Sequence, residues 1–238
     1  MNGALLFARF AYPPNLIGHC GPESDELAGY LESGDVDAGL SQIAGRFDGA
    51  WPYLDLIASE HRGGDPLSLE VVESYWLGGT QVSFRPTADS LLDRFARRAG
   101  WRRLSATTVL EGAEPTHAFH VFSVYPFLGL LRGGAGDVAL SVLDQCRVSW
   151  GKVIETSEGV ITVRSEPLVW DGSRLAMGAP YDRQYLPVPG LRVNPGQWVA
   201  LHWSRVCHPL DRDGLSRLRR SQSRHLALAN RSEVAAQF

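Results

Sequence analysis

The chain has 238 residues, of which 44% are hydrophobic and 21% are charged, a composition typical of a packed globular protein. The formal net charge is only -3 and no run of five like charges occurs, so nucleic acid is a poor candidate partner. The N-terminal residues lack a basic segment followed by a long apolar stretch, and nowhere are the apolar residues continuous enough to cross a membrane. We therefore expect a cytoplasmic protein with no membrane span.

Four segments of the N-terminal half place apolar residues at three- and four-residue spacing, which predicts helices. These segments are Asp25 to Leu40, Leu40 to Ile57, Leu67 to Leu77 and Thr87 to Ala99. Before them, the pair Pro13-Pro14 predicts extended backbone. The apolar segment Phe119 to Leu131 is compatible with a buried helix or a strand, and periodicity leaves both open. A short amphipathic helix is expected over Asp137 to Gln145.

After Cys146, short runs rich in Val, Ile, Trp and Tyr alternate with Gly, Pro, Asp and Ser, as is typical of a small antiparallel barrel. About five strands fit between Arg147 and Val206, and a surface helix is predicted after Pro209. We expect an α+β protein. A helical domain over residues 1–143 precedes a small OB-like β-barrel, which occupies residues 144–238 together with a C-terminal helix.

The three cysteines, Cys20, Cys146 and Cys207, are an odd number in a chain large enough to fold without disulfides, which favours free thiols in a reducing compartment. No CxxC or HExxH spacing is present, so the sequence defines no standard zinc site. Gly18 and Gly21 permit tight turns that would expose Cys20 beside an imidazole. A structural role for this cysteine is the alternative interpretation.

A pair of histidines, His117 and His120, stands three residues apart. On a helix the two imidazoles share one face and can chelate a metal, whereas on a strand they point to opposite faces. Pro115 and Thr116 just before them indicate a helix start. Capping and packing at that helix start is the alternative role for the pair.

The N-terminal half, including the segments Phe7 to Asn15 and Gly18 to Pro22, resembles an uncharacterised bacterial family, which implies no activity. The barrel carries a stronger motif. Residues Cys146 to Val153 follow the pattern C-x-x-x-x-G-x-V, and Pro195 to His202 form a P-G-Q-W-V-A-L-H strand before the last helix. This order resembles the HypC-type chaperones of NiFe-hydrogenase maturation, which are small barrels that begin with a cysteine and close with a similar histidine strand.

The resemblance places Cys146 on the family's iron-carrying cysteine and His202 on the histidine of its last strand. It implies an iron ion bearing cyanide and carbon monoxide, held by the thiolate together with a partner scaffold protein, and a soft thiolate suits such an iron. The implied partners are a hydrogenase large-subunit precursor or a maturation scaffold protein, with Arg147 and Trp150 in the partner contact. The chain departs from the family in two respects, because Cys146 is internal and Trp150 replaces a proline.

Three functions follow from these patterns. The first is an accessory protein of metalloenzyme assembly that acts as a HypC-like chaperone or iron carrier. The second is a metal-dependent enzyme whose site lies between the two domains and includes Cys20, His117, His120 and Cys146. The third is a plain interaction module. No nucleophile elbow, phosphate loop or dinucleotide fingerprint is present, so the enzyme hypothesis has no motif of its own. Convergence of the cysteines and histidines in space would favour it.

Overall fold

The structure is a computed structural model that describes residues 1–23, 25–60, 64–79, 114–124, 127–134 and 136–231. Helices precede a closed β-barrel and a long helix follows it, so the predicted α+β fold class is confirmed. The predicted helix Thr87 to Ala99 lies outside the described residues. Within them, no helix is both long and apolar enough to cross a membrane.

The first part of the chain forms five helices in the described residues. They are α1 (Gly3–Leu16), α2 (Glu26–Ser33), α3 (Ala38–Gly45), α4 (Trp51–Glu60) and α5 (Leu69–Leu77). Two predicted helices are each divided in two, because a turn separates α2 from α3 and another separates α3 from α4. Gly34, in the left-handed conformation, ends α2, and the Asp37 carboxylate accepts a hydrogen bond from the Leu40 N–H at 3.0 Å. Local capping therefore overrides the continuous apolar pattern.

Helix α1 shows that the prediction of extended backbone at the proline pair is wrong, since Pro13 and Pro14 both lie inside the helix. The pair occupies the last turn, where the missing N–H groups disrupt few helical hydrogen bonds. Both prolines and most other residues of α1 are buried. Burial of this apolar helix in the core outweighs the local preference of the residues before proline for extended backbone.

The segment before the barrel is helical in the residues described. Helix α6 (His117–Phe119) continues into a π-helical turn (His120–Val124), and α7 (Phe127–Arg132) and α8 (Gly136–Cys146) follow. The Thr116 hydroxyl accepts a hydrogen bond from the Phe119 N–H at 3.3 Å, as the predicted helix start requires. The amphipathic helix predicted before Cys146 is confirmed, and its last residue is Cys146 itself.

Five strands close into the predicted barrel in the order β1-β2-β5-β7-β6. They are β1 (Ser149–Ser157), β2 (Val160–Ser165), β5 (Tyr181–Pro187), β6 (Trp198–His202) and β7 (Arg205–Leu210), while β3 (Leu168–Trp170) and β4 (Leu175–Met177) form a separate hairpin. One barrel pair, β5 with β7, is parallel, which departs from the antiparallel prediction. Strands β1 and β6 are antiparallel, with Ser149 opposite Leu201. This register brings the start of β1, which follows Cys146, beside His202.

One hydrophobic core joins the helical part to the barrel, for example through Phe10 of α1, Trp76 of α5 and Val199 of β6. Helix α9 (Arg212–Arg231) is the predicted C-terminal helix, and it adds Leu215 and Leu218 to the same core. The predicted domain boundary between residues 143 and 144 falls inside α8. The division into two domains stays a prediction.

Candidate metal centre

Three potential metal ligands meet where the helices contact the barrel. His117 lies at the start of α6, Cys146 at the end of α8 and His202 at the end of β6. One ligand atom from each lies within 4.8 Å of the other two. Their side chains are buried, with 5%, 5% and 2% of their surface exposed. The structure therefore brings Cys146 and His202 together, as the barrel topology predicts, and adds His117.

The orientation of the His202 ring is fixed by a backbone carbonyl group. Nδ1 of His202 donates a hydrogen bond to the carbonyl oxygen of Phe10 at 2.8 Å. Because a carbonyl oxygen only accepts, the proton of the neutral ring must be on Nδ1, and Nε2 carries a lone pair. Nε2 is buried and has no hydrogen-bond partner among the described residues. A histidine that ligates a metal through one nitrogen and donates from the other to a carbonyl has this arrangement.

The Phe10 carbonyl oxygen is accessible to His202 because of Pro14. In an α-helix the N–H of residue 14 would donate to the carbonyl oxygen of residue 10, but proline has no N–H. Helix α1 therefore presents a buried acceptor without its usual helical donor, and the imidazole of His202 supplies a donor instead. No local sequence pattern indicates this role of Pro14.

His117 is the third member of the cluster. Its ring stacks on Trp76 with a centroid distance of 4.6 Å and lies edge-on to His202 at 5.0 Å. Its Nδ1 is buried and has no hydrogen-bond partner among the described residues. Buried polar atoms are normally satisfied, so the unpartnered nitrogens of His117 and His202 require an explanation.

Burial keeps all three groups uncharged. It lowers the pKa of His117 well below its ordinary value, with further lowering by His202 and His120. Burial also lowers the pKa of His202 to about 4, opposed by the carbonyl groups of Phe10 and Cys146. The same desolvation raises the pKa of the Cys146 thiol, with a further contribution from Cys20. The imidazoles are thus ready to bind a metal, whereas the thiol must lose its proton to do so.

Cys20 and His120, the other two predicted ligands, line the same cavity as the cluster. The His120 ring lies 6.3 Å from the His117 ring, measured between centroids, and its Nδ1 is 3.2 Å from the Tyr53 hydroxyl. Burial lowers the pKa of His120 to about 3. All five residues predicted to ligate a metal therefore surround one space, and three of them form the compact cluster.

A buried asparagine holds the Cys20 loop against the cavity. The side-chain amide of Asn15 donates hydrogen bonds to the carbonyl oxygens of Cys20, at 3.0 Å, and Pro22, at 2.7 Å. Gly18 and Gly21 both have positive φ, at 71° and 85°, which glycine adopts without strain. The predicted glycine turns are present, but they direct the half-buried Cys20 toward the cavity.

Arg147 and Trp150, the residues expected to contact a partner, are buried. Arg147 has 1% of its surface exposed, pairs with Asp144 at 2.9 Å and donates to the Glu166 carbonyl oxygen at 2.6 Å. Trp150 has 8% exposed and is covered by the Arg219 guanidinium, 5.5 Å from its ring centroid. These side chains stabilise the barrel and its helix, an arrangement that does not favour the predicted partner contact.

One thiolate and two imidazoles suit borderline or soft ions such as Zn²⁺, Fe²⁺ or copper, and they do not suit Mg²⁺ or Ca²⁺. A tetrahedral ion at ~2.0–2.3 Å from its ligands holds them roughly 3.3–3.7 Å apart. The observed spacing of at most 4.8 Å therefore needs only a modest contraction. Three protein ligands leave a fourth position open, as in catalytic metal sites.

The fold and site define a class of protein in which a helical region and a closed five-stranded barrel share a buried Cys/His cluster. The chain belongs to DUF6390, a family of unknown function whose model matches residues 1–236. No curated protein and no solved structure matches the chain. The family supports the predicted resemblance of the N-terminal half to an uncharacterised family and extends it across the barrel. Nothing in these comparisons supports the resemblance to HypC-type chaperones.

Proposed function

We propose that this protein is a metal-dependent enzyme that binds one transition-metal ion through His117, Cys146 and His202. The observation that carries the proposal is the lone pair on Nε2 of His202, fixed by the Phe10 carbonyl group and buried beside a thiol and a second imidazole. A metal ion at this position would partner nitrogens that otherwise stay unsatisfied. It would supply a Lewis acid or a redox centre inside the protein.

The surroundings of the cluster favour an enzyme over a carrier. The three ligands are at most 5% exposed, and the described residues enclose them below a cavity of about 280 Å³. A carrier must expose its ion to a partner protein, whereas an enzyme needs an enclosed ion with an open position next to a space for substrate. The convergence of Cys20 and His120 on the same space supports a site between the helices and the barrel.

Metal content measured on protein purified without oxygen tests the proposal. We expect about one Zn, Fe, Co or Cu per chain by elemental analysis, and a loss of most of it in the Cys146→Ser and His202→Gln variants. Cys207→Ser is the matched control, because Cys207 is a buried free cysteine that does not line the cavity. Circular dichroism and thermal unfolding would establish that each variant folds. Equal metal content in folded Cys146→Ser and wild-type protein would contradict the proposal.

A second candidate function is the HypC-like accessory protein that carries iron with cyanide and carbonyl ligands to a hydrogenase large-subunit precursor or a scaffold protein. The closed barrel with Cys146 just before its first strand and His202 in the neighbouring strand favours it. Infrared spectroscopy separates the two functions, because cyanide and carbonyl stretches lie where protein does not absorb. The carrier predicts such bands in protein purified without oxygen, and the enzyme predicts none.

A further inference from the structure

The cavity above the cluster is lined mainly by apolar groups. Its volume is about 280 Å³, and its walls include Phe47, Trp76, Phe127 and Val142 besides the cysteines and histidines. No Asp, Glu, Lys or Arg is among the described residues that line it. The described lining therefore offers no carboxylate, ammonium or guanidinium group to balance a charged ligand.

We propose that this cavity is the substrate site of the enzyme and that it takes a small molecule that is uncharged and largely apolar apart from any atom that binds the metal. The inference rests on the proposed function for the role of the metal, and on the cavity alone for the class of ligand. In the metal-free cavity a carboxylate or ammonium group would lose its hydration without a counter-charge, which is strongly unfavourable. The volume is sufficient, since an apolar cavity of roughly 150 Å³ in another protein holds benzene.

The cavity opens toward solvent beside the Cys20 loop. His19, in this loop, is the lining residue with an exposed side chain, and its ring packs on Trp203 at a centroid distance of 4.6 Å. The indole of Trp203 lies near Cys146 and opposes the rise in the pKa of its thiol. We therefore place the entrance of the cavity beside His19.

Gly49 keeps the inner part of the cavity open. A Cβ atom at this position would lie 3.2 Å from Nε2 of His120 and 3.7 Å from Sγ of Cys20. Gly49 is not among the residues with positive φ, so alanine is compatible with its backbone. A methyl group would therefore occupy cavity space between two potential ligands with only a small adjustment of the His120 ring. The backbone conformation at Gly49 does not require glycine. The missing side chain instead leaves space in the cavity.

The test compares Gly49→Ala with Gly45→Ala in the full chain. Gly45 is the last residue of α3, and the nearest atom to its Cβ position, in the Trp51 ring, is 4.0 Å away. Benzene and benzoate serve as probes of the same ring size, with binding followed by NMR titration of the metal-free and the zinc-loaded protein. We expect benzene to bind both forms, benzoate to bind the metal-free form roughly a hundredfold more weakly than benzene or not at all, and Gly49→Ala to weaken benzene binding roughly tenfold. Gly45→Ala should bind benzene like the wild type.

The experiment distinguishes a failure of the proposed metal site from a failure of the proposed ligand class. Failure of benzene to bind, equal affinity of the metal-free protein for benzoate, or unchanged benzene affinity in folded Gly49→Ala would each overturn the substrate class while leaving the zinc stoichiometry intact. Benzene binding to a protein that takes up no zinc would overturn the proposed metal site and support the assignment of the cavity as an apolar ligand site.

Discussion

Phe10 and His202 are 192 positions apart in the chain, yet their hydrogen bond determines what the cluster can do. The carbonyl group is a helical acceptor made available by Pro14, and the imidazole responds by placing its proton on Nδ1. At the scale of single residues, the site therefore depends on a proline that would not be recognised as functional. The proline acts through His202 and is a positioning residue.

Replacing Pro14 tests this dependence. In Pro14→Ala the new N–H can donate to the Phe10 carbonyl oxygen and compete with Nδ1 of His202, so we expect zinc affinity to fall roughly tenfold, as for other losses of a ligand's hydrogen-bond partner. Competition with a chelating dye would measure the affinity. Pro13→Ala is the matched control, because its N–H would face the carbonyl group of residue 9, whereas the hydrogen bond of His202 is to the carbonyl group of Phe10. An equal change in both variants would contradict the role of Pro14.

At the scale of elements, strand β1 positions Cys146 by its register with β2 and β6. Gly151 pairs with Ser165 on one side and Val199 on the other. A Cβ atom at Gly151 would clash with the Val163 side chain and lie 2.9 Å from the carbonyl oxygen of Arg164. The glycine of the C-x-x-x-x-G-x-V pattern is thus explained by close packing inside a small barrel.

Gly151→Ala is accordingly expected to destabilise the barrel. The methyl group overpacks the contact between β1 and β2, so the free energy of unfolding should fall by about 1–3 kcal/mol in urea. Gly29→Ala serves as the control, because Gly29 lies in helix α2 and its Cβ position has no described atom within 4 Å. That substitution should leave stability unchanged or slightly increased. A midpoint of urea unfolding equal to that of the wild type in Gly151→Ala would contradict the close packing at this glycine.

At the scale of the whole molecule, folding also buries, fully or in part, histidines that do not line the cavity. His225 of α9 is fully buried; its Nδ1 donates to the Ser221 carbonyl oxygen at 2.9 Å, and its Nε2 accepts from the Glu114 N–H at 3.3 Å. Burial lowers the pKa of His225 and that of His208 to about 4 in each case. Burial of both rings therefore favours their neutral form.

This burial predicts a loss of stability in mild acid. Between pH 6.5 and about 4 the unfolded chain binds protons at His208 and His225 that the folded chain does not, so stability present above pH 6.5 falls as the pH is lowered. Each such histidine contributes about 1.4 kcal/mol per pH unit to the slope of the free energy of unfolding against pH. Urea unfolding of metal-free protein across this range would measure it, and His225→Gln should reduce the slope by about one proton. An unchanged slope would contradict the burial of a neutral His225.

The sequence by itself determined the barrel and the helical region before it, and it identified five of the residues around the cavity. Strand alternation, helical spacing and turn residues act over a few positions, so they can be recognised without a structure. Cys20, His117, His120, Cys146 and His202 were identified by residue type and local motif. The glycine turns beside Cys20 and the helix start at Thr116 also depend on local sequence, and the structure contains both.

Only the tertiary structure decided how those residues meet. Burial in a shared core keeps α1 helical through its proline pair, and the closure of the barrel sets His202 beside Cys146. The proton position on His202, the open space at Gly49 and the uncharged cavity wall come from groups far apart in the chain. Local patterns do not encode such contacts, because packing of the whole chain selects them and a short segment is compatible with many neighbours.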